Sequence, residues 1–102
     1  MSFARRFVIF TVAMLGALPC SAADFQTALD AYNAGDFDTA YNEWLPLAEN
    51  GSAPAQFNIG LMFERGEGRG RDVETAIEWY ARSAENGFGR AQFRLGEVYE
   101  SG

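Results

Sequence analysis

The chain has 102 residues, with 14 acidic side chains against 8 basic ones and a formal net charge of −6 at pH 7. An acidic surface repels nucleic acid and anionic lipid headgroups, so neither is an expected partner. The chain has no histidine and no lysine, and its acids are scattered along the sequence. We therefore expect no enzyme, no cofactor and no metal site.

Residues 1–23 have the layout of a secretory signal peptide. Two arginines open the segment, an apolar run follows at 7–18, and a small-residue stretch allows cleavage after Ala22 or Ala23. The apolar run is shorter than the roughly 20 residues that a membrane span requires. We expect cleavage and delivery to the periplasm or outside the cell, with a retained anchor as the alternative.

Removal of the signal peptide leaves about 80 residues, enough for one small core. Six arginines then face fourteen acids, which gives a net charge of −8. The only cysteine, Cys20, leaves with the signal, so the mature chain has no disulfide and no thiolate. No contact with a membrane is expected after cleavage.

The apolar spacing of the mature chain and its capping residues predict five helices. Asp36, Ser52 and Asp72 are expected N-caps, because their side-chain oxygens accept the free backbone N–H groups at a helix start. Asn-Gly pairs end two of the helices, since glycine adopts the left-handed conformation at little cost. The predicted helices cover residues 24–34, 37–49, 53–65, 73–85 and 90–100.

A nineteen-residue stretch occurs twice in the chain, 36 residues apart. The stretches 48–66 and 84–102 share ten identical positions, where chance gives about one or two. Gly60 and Gly96 recur inside helices, where each costs about 1 kcal/mol, so we expect a close approach of the partner helix at both. Helix pairs that recur at this period indicate an all-α solenoid of antiparallel helix pairs.

The repeated unit resembles a Sel1-like repeat, the relative of the tetratricopeptide repeat with a longer loop between its helices. The matching residues are Ala55, Ile59-Gly60, Phe63, Gly66-Glu67-Gly68, Asp72, Ala76, Trp79-Tyr80, Ala84 and Asn86-Gly87. Residues 52–87 form one full repeat, 24–51 resemble a degenerate tetratricopeptide-like pair, and 88–102 begin a further repeat. The resemblance implies a right-handed superhelix and a protein-interaction adaptor or scaffold.

Residues 88–102 match only the first helix of a pair. Either this helix caps the array or the array is longer, and we favour the longer array because Phe93, Leu95 and Tyr99 would otherwise leave an apolar face open. Two further functions stay open. In the first, the chain is the recognition arm of a cell-envelope enzyme whose catalytic part lies beyond residue 102. In the second, it is a module that self-associates through the open face.

The tetratricopeptide pattern implies that the first helix of each pair lines a concave face. A peptide or helix of the partner would lie there, with apolar anchors at Phe57, Leu61 and Phe93 and with acids that favour a basic partner. Packing within the array is the alternative for the two phenylalanines. The expected partner-binding residues are Gln26, Asp30, Asn33, Phe57, Leu61, Glu64, Phe93, Glu97 and Glu100.

Two other patterns receive structural interpretations. The loop at 66–72 has three alternating glycines, but its spacing is not that of a phosphate-binding loop, and we expect an inter-helix connection. The carboxylates of Glu64 and Glu67 are interpreted as part of a solvated face. Four aromatic residues are expected in the core, namely Tyr41, Trp44, Trp79 and Tyr80.

Overall fold

A computed structural model describes residues 24–101 of the chain, so the signal-peptide prediction lies outside the described residues. This part of the chain folds into five α-helices that follow one another along the sequence. They are α1 (Phe25–Asn33), α2 (Phe37–Glu49), α3 (Ala53–Arg65), α4 (Val73–Glu85) and α5 (Gly89–Ser101). The predicted all-α solenoid is confirmed.

The expected N-caps are all present. Asp36 and Asp72 each accept a hydrogen bond from the backbone N–H three residues on, both at 3.2 Å, and Ser52 does the same at 3.4 Å. Because these caps are local, the predicted bounds of α2, α3 and α4 agree with the structure. The first helix is one residue shorter at each end than predicted, since Asp24 and Ala34 are its caps, and α5 is one residue longer at each end.

Each helix packs on the helix that follows it in the sequence. Small buried residues at the crossings allow the close approach, namely Ala28, Ala40, Ala48, Ala55, Ala76 and Ala91. Larger side chains fill the space between them, above all Trp44, Ile59, Met62 and Tyr80, which are at most 1% exposed. Burial of each repeat against its neighbours is the packing scheme of a solenoid.

The repeated sequence encodes repeated contacts. The amide of Gln56 on α3 donates to the carbonyl of Ala48 at 2.9 Å, near the end of the preceding helix. At the same place in the next repeat, Gln92 on α5 donates to Ala84 at 3.2 Å. The identical glutamines of the two stretches therefore make the same link between neighbouring helix pairs.

The two recurrent helix glycines have different surroundings. A Cβ at Gly60 would lie 2.6 Å from Cε1 of Tyr80 and 3.2 Å from the carbonyl oxygen of Ala76, so the predicted close approach is confirmed there. A Cβ at Gly96 would meet no described atom within 4 Å, and the prediction is wrong there. The reason is that, among residues 24–101, no helix faces α5 where α4 faces α3.

The loop from α3 to α4 is a packed connection. Gly68 has a φ of +76°, and a Cβ at this position would lie 2.7 Å from Cβ of Phe37. The guanidinium of Arg69 lies 3.4 Å from the ring centroid of Tyr41 on α2, and Nε of Arg71 donates to the carbonyl of Glu64 at 2.9 Å. These contacts fit the predicted structural interpretation of the glycine-rich loop.

Candidate partner-binding groove

The first helices of the three successive pairs line a common groove of about 360 Å³. Its size falls within the range of pockets that bind ligands in proteins, about 300–1,000 Å³. The lining residues are Phe25, Leu29, Tyr32 and Asn33 of α1, Trp44 of α2, Asn58, Leu61 and Arg65 of α3, and Arg90 of α5.

Aromatic rings stiffen one side of the groove. The ring of Trp44 is 1% exposed and lies 5.7 Å from the ring of Phe25 and 5.6 Å from that of Tyr32, in tilted arrangements. Such aromatic pairs stabilise by about 0.5–1.5 kcal/mol beyond their buried area. The indole N–H of Trp44 is buried and has no hydrogen-bond partner in the described part of the chain.

Arginines are the charged residues of the groove, and none of its lining residues is a carboxylate. Arg65 donates to the hydroxyl of Tyr32 at 3.1 Å, and its Nη1 lies 3.9 Å from a carboxylate oxygen of Glu67. The Tyr32 hydroxyl in turn donates to Glu67 at 2.7 Å. Burial and this bond to a carboxylate raise the pKa of Tyr32, so the hydroxyl stays protonated at neutral pH and holds the arrangement.

Arg90 lies in the first turn of α5, at the opposite end of the groove lining along the sequence. Its guanidinium carbon is 5.1 Å from the ring centroid of Phe57. Among residues 24–101 this arginine forms no ion pair, whereas Arg65 and Arg94 do.

Two of the nine residues predicted to bind a partner, Asn33 and Leu61, line the groove. Gln26 and Asp30 lie outside it on the exposed surface of α1, where the Gln26 amide donates to the Asp30 carboxylate at 3.0 Å. On this part of α1 the groove is lined by Leu29 and not by these two residues.

A shift of one residue in the alignment of the first two pairs explains this difference. The ring of Phe25 packs on Trp44 at 5.7 Å, and in the next pair Phe57 packs on Tyr80 at 5.5 Å. Phe25 therefore corresponds to Phe57, 32 residues on, whereas the prediction assumed 31. With the correct register, the partner of Leu61 on α1 is Leu29, and both line the groove.

Phe57 takes the alternative role stated for it, packing within the array. Its side chain is 5% exposed, and its ring lies 5.5 Å from Tyr80 and 5.4 Å from Phe88, so it belongs to the core. Phe93, at the same position of the next repeat, is 69% exposed and does not line the groove. Tyr99 nearby is 66% exposed, as expected for an open apolar face on α5.

Glu64 is a structural link and not a free groove acid. It accepts a hydrogen bond from the Tyr80 hydroxyl at 2.6 Å and forms an ion pair with Arg94, whose Nε lies 3.0 Å from it. Burial raises the pKa of Glu64, but the bonds from Arg94 and Tyr80 outweigh this effect and hold the pKa below its ordinary value. One carboxylate thus ties α3 to α4 and α5.

The other predicted acids lie with Glu64 around a separate cleft of about 520 Å³. Glu97 pairs with Arg94 at 2.9 Å, and Glu100 is exposed on α5. Glu67 is 21% exposed at its side chain and bonded to Tyr32, so the interpretation of Glu64 and Glu67 as a solvated pair is wrong. In both cases a tyrosine from a sequence-distant helix supplies the hydrogen.

Sequence reasoning missed the polar residues of the groove, above all Asn58, Arg65 and Arg90. The signal was present on α3, since Asn58, Leu61 and Arg65 are spaced three and four residues apart and so share one helix face. Of the aromatic residues expected in the core, Trp44 and Tyr80 are fully buried, and Tyr41 and Trp79 pack on the core with part of their surface exposed.

Within residues 24–101, no group of histidine, cysteine and carboxylate side chains is arranged to hold a metal ion. In the same part of the chain, no helix has the length and apolar character to cross a membrane.

Stacked antiparallel helix pairs with repeated inter-pair contacts define an α-solenoid repeat protein. The family model described as Sel1 repeat matches residues 53–88 and 89–102. The chain belongs to the Sel1 repeat family, whose repeats are generally non-catalytic modules for protein interaction. No curated protein and no solved structure matches the chain.

Proposed function

We propose that this protein is an exported adaptor that binds a segment of another protein in the groove between α1, α3 and α5. The observation that carries the proposal is the groove itself, which draws its lining from all three first helices. Binding on this face would let the array hold its partner without a chemical step.

The composition of the groove supports recognition of an extended peptide. Leu29 and Leu61 supply apolar surface for a partner side chain, and the amides of Asn33 and Asn58 supply donors and acceptors for its backbone. The helices are fixed by buried contacts, so the protein loses little conformational freedom on binding, which favours affinity.

The export part of the proposal depends on residues 1–23. A basic start, a short apolar run and a small-residue cleavage site support it. Cell fractionation followed by intact-mass analysis tests it directly. We expect the protein outside the cytoplasm with Ala23 or Asp24 as its first residue. A cytoplasmic protein that retains Met1 contradicts export and leaves the groove proposal in place.

In-cell photo-crosslinking tests the groove. A photoreactive amino acid replaces Leu61 in one variant and Glu78, on the exposed surface of α4, in the matched control. We expect a discrete adduct from position 61 alone, and its loss when Asn58→Trp fills the groove. Equal adducts from both positions, or none from position 61, contradict the groove as the partner site.

A second candidate function is self-association through α5. The exposure of Phe93 and Tyr99, at 69% and 66%, favours it, because these rings are the exposed large apolar side chains of the described residues. Sedimentation equilibrium over a hundredfold range of concentration measures it. A mass that rises with concentration, and that falls back to the monomer in Phe93→Ser, supports self-association, and a constant monomer mass contradicts it.

A further inference from the structure

We infer that the segment bound in this groove is acidic and that its carboxylates are held by Arg65 and Arg90. This inference rests on the proposed function and names the chemistry of its partner. It reverses the sequence-based expectation of a basic partner, which was drawn from acids that the structure places outside the groove.

The charge of the groove lining is opposite in sign to that of the whole chain. The chain as a whole has a net charge of −6, with 14 acidic residues, yet the groove lining contains two arginines and no acid. A cationic groove in an acidic surface attracts acidic segments and repels basic ones, since complementary potentials select partners. A basic segment would instead be repelled by the two arginine side chains of the lining.

Arg90 has no carboxylate partner within residues 24–101. Its position in the first turn of α5 is unfavourable for a cation, because the helix dipole is positive at that end. Within residues 24–101 it forms no ion pair, and its guanidinium lies 5.1 Å from the ring centroid of Phe57. Helix stability therefore does not explain this arginine, whereas an anionic ligand in the groove does.

Arg65 is paired only loosely with a carboxylate. Its side chain is 54% exposed, and the distance of 3.9 Å to Glu67 is the longest of the ion pairs in the described residues. Glu67 already accepts a shorter bond from Tyr32, at 2.7 Å, so it does not saturate the guanidinium. Arginine has five N–H donors in a planar fork, and the remaining ones suit a carboxylate.

These observations describe a ligand with two parts. Its carboxylate side chains lie at Arg65 and Arg90, and an apolar side chain between them contacts Leu29 and Leu61. An acidic peptide interspersed with leucine-sized residues fits this chemistry, and an extended conformation would leave its backbone amides available for Asn58.

The test uses a phage-displayed library of random heptapeptides and the mature protein as the cells secrete it. The matched variants are Arg90→Gln, in the groove, and Arg82→Gln, on α4. Each removes one charge and one contact with an aromatic ring, because Arg82 lies 4.5 Å from the ring centroid of Trp79. Circular dichroism confirms that both variants fold as the unchanged protein does.

We expect peptides rich in Asp and Glu from the unchanged protein and from Arg82→Gln. Arg90→Gln should select a smaller excess of such peptides, and the double variant Arg65→Gln/Arg90→Gln should select none. A synthetic copy of an enriched peptide should bind about tenfold more tightly than its Asn and Gln counterpart for each carboxylate engaged, which corresponds to about 1.4 kcal/mol. Its affinity should fall as salt is raised from 50 to 500 mM, since ions screen exposed charges.

Three outcomes overturn the inference, and they separate it from the proposed function. Enrichment of basic or uncharged peptides that no longer bind Leu61→Trp contradicts the acidic partner and leaves the groove in place. Acidic peptides that bind Arg65→Gln/Arg90→Gln equally well contradict the assigned arginines. Selection of no peptide, or of peptides that bind Leu61→Trp as well as the unchanged protein, contradicts the groove, the proposed function and the acidic partner together.

Discussion

Alanine substitution at the two recurrent helix glycines should have opposite effects on stability. In Gly60→Ala, the new Cβ would lie 2.6 and 2.7 Å from two ring carbons of Tyr80 and 3.2 Å from the carbonyl oxygen of Ala76. In Gly96→Ala, the new Cβ would meet no described atom within 4 Å. Both changes place alanine in a helix, so the pair isolates the contact with α4.

The magnitude follows from the distances. Carbon atoms pack best at about 3.5–4.0 Å, so the Tyr80 ring must move by roughly 1 Å to admit the methyl group. That ring is fully buried and is held by a 2.6 Å bond to Glu64, so relief is costly. Overpacking costs about 1–3 kcal/mol, and alanine returns about 1 kcal/mol of helix propensity. We expect a net loss of up to about 2 kcal/mol for Gly60→Ala.

Gly96→Ala retains only the favourable part, a gain of about 0.5–1 kcal/mol. Urea unfolding followed by circular dichroism at 222 nm measures both variants, at micromolar concentration to keep self-association out of the comparison. The two free energies of unfolding should differ by the overpacking cost, about 1–3 kcal/mol, with Gly60→Ala the less stable. Equal changes in the two variants would refute the claim that Gly60 exists to admit the Tyr80 ring.

Three further predictions concern other matched positions. Folding lowers the pKa of Glu64, so its carboxylate should stabilise the protein fully above the unfolded-state pKa of about 4.3. This stabilisation should be lost as the pH falls through the lowered, folded-state pKa. Urea unfolding should therefore show a clear difference in free energy between the unchanged protein and Glu64→Gln at pH 7 and a much smaller one at pH 3. Gly68→Ala should lower the free energy of unfolding by about 1–3 kcal/mol, because its φ is positive and a Cβ would overlap with Phe37 of α2. A Cβ at Gly70 would meet no described atom within 4 Å, so Gly70→Ala should change the free energy of unfolding by less than about 0.5 kcal/mol. Similar losses from both variants would contradict the loop packing. Phe57→Ala should cost about 3–5 kcal/mol and Phe93→Ala less than about 0.5 kcal/mol in thermal unfolding of the monomer, and equal costs would show that the two repeats are packed alike.

Local signals account for the part of the fold that the sequence predicted well. Asp36, Ser52 and Asp72 cap their helices through bonds to backbone N–H groups three residues away, so no distant partner is needed to place these ends. The repeat period then predicts the solenoid, because helix pairs of one pattern must stack in one way. Neither step requires knowledge of tertiary contacts.

The groove depends on tertiary contacts and was predicted only in part. A shorter loop after α1 changes the spacing between the first two pairs, and a shift of one residue moved the expected face from Leu29 to Asp30. The role of Glu64 depends on Arg94, thirty residues away on a helix of the next repeat. Sequence periodicity reports which side chains share a face, but not which distant side chain neutralises a charge.

Phe57 and Phe93 show the same limit from the opposite side. They are identical in residue type, helix position and repeat position, yet one is 5% and the other 69% exposed. The difference lies in the neighbouring residues. The rings of Tyr80 and Phe88 cover Phe57, and no described aromatic ring covers Phe93 in the same way. Burial in a solenoid is therefore a property of adjacent repeats, not of one repeat.

The proposed partner site is the groove between α1, α3 and α5. The most direct measurement is a titration of the ¹⁵N-labelled mature protein with an enriched acidic heptapeptide, followed by two-dimensional NMR. We expect the largest shifts at Asn33, Asn58, Leu61 and Arg90, with little change at Glu78 on the outer surface. Shifts centred on Phe93 and Tyr99, with the groove signals unchanged, would contradict this site and would place binding on the open face of α5.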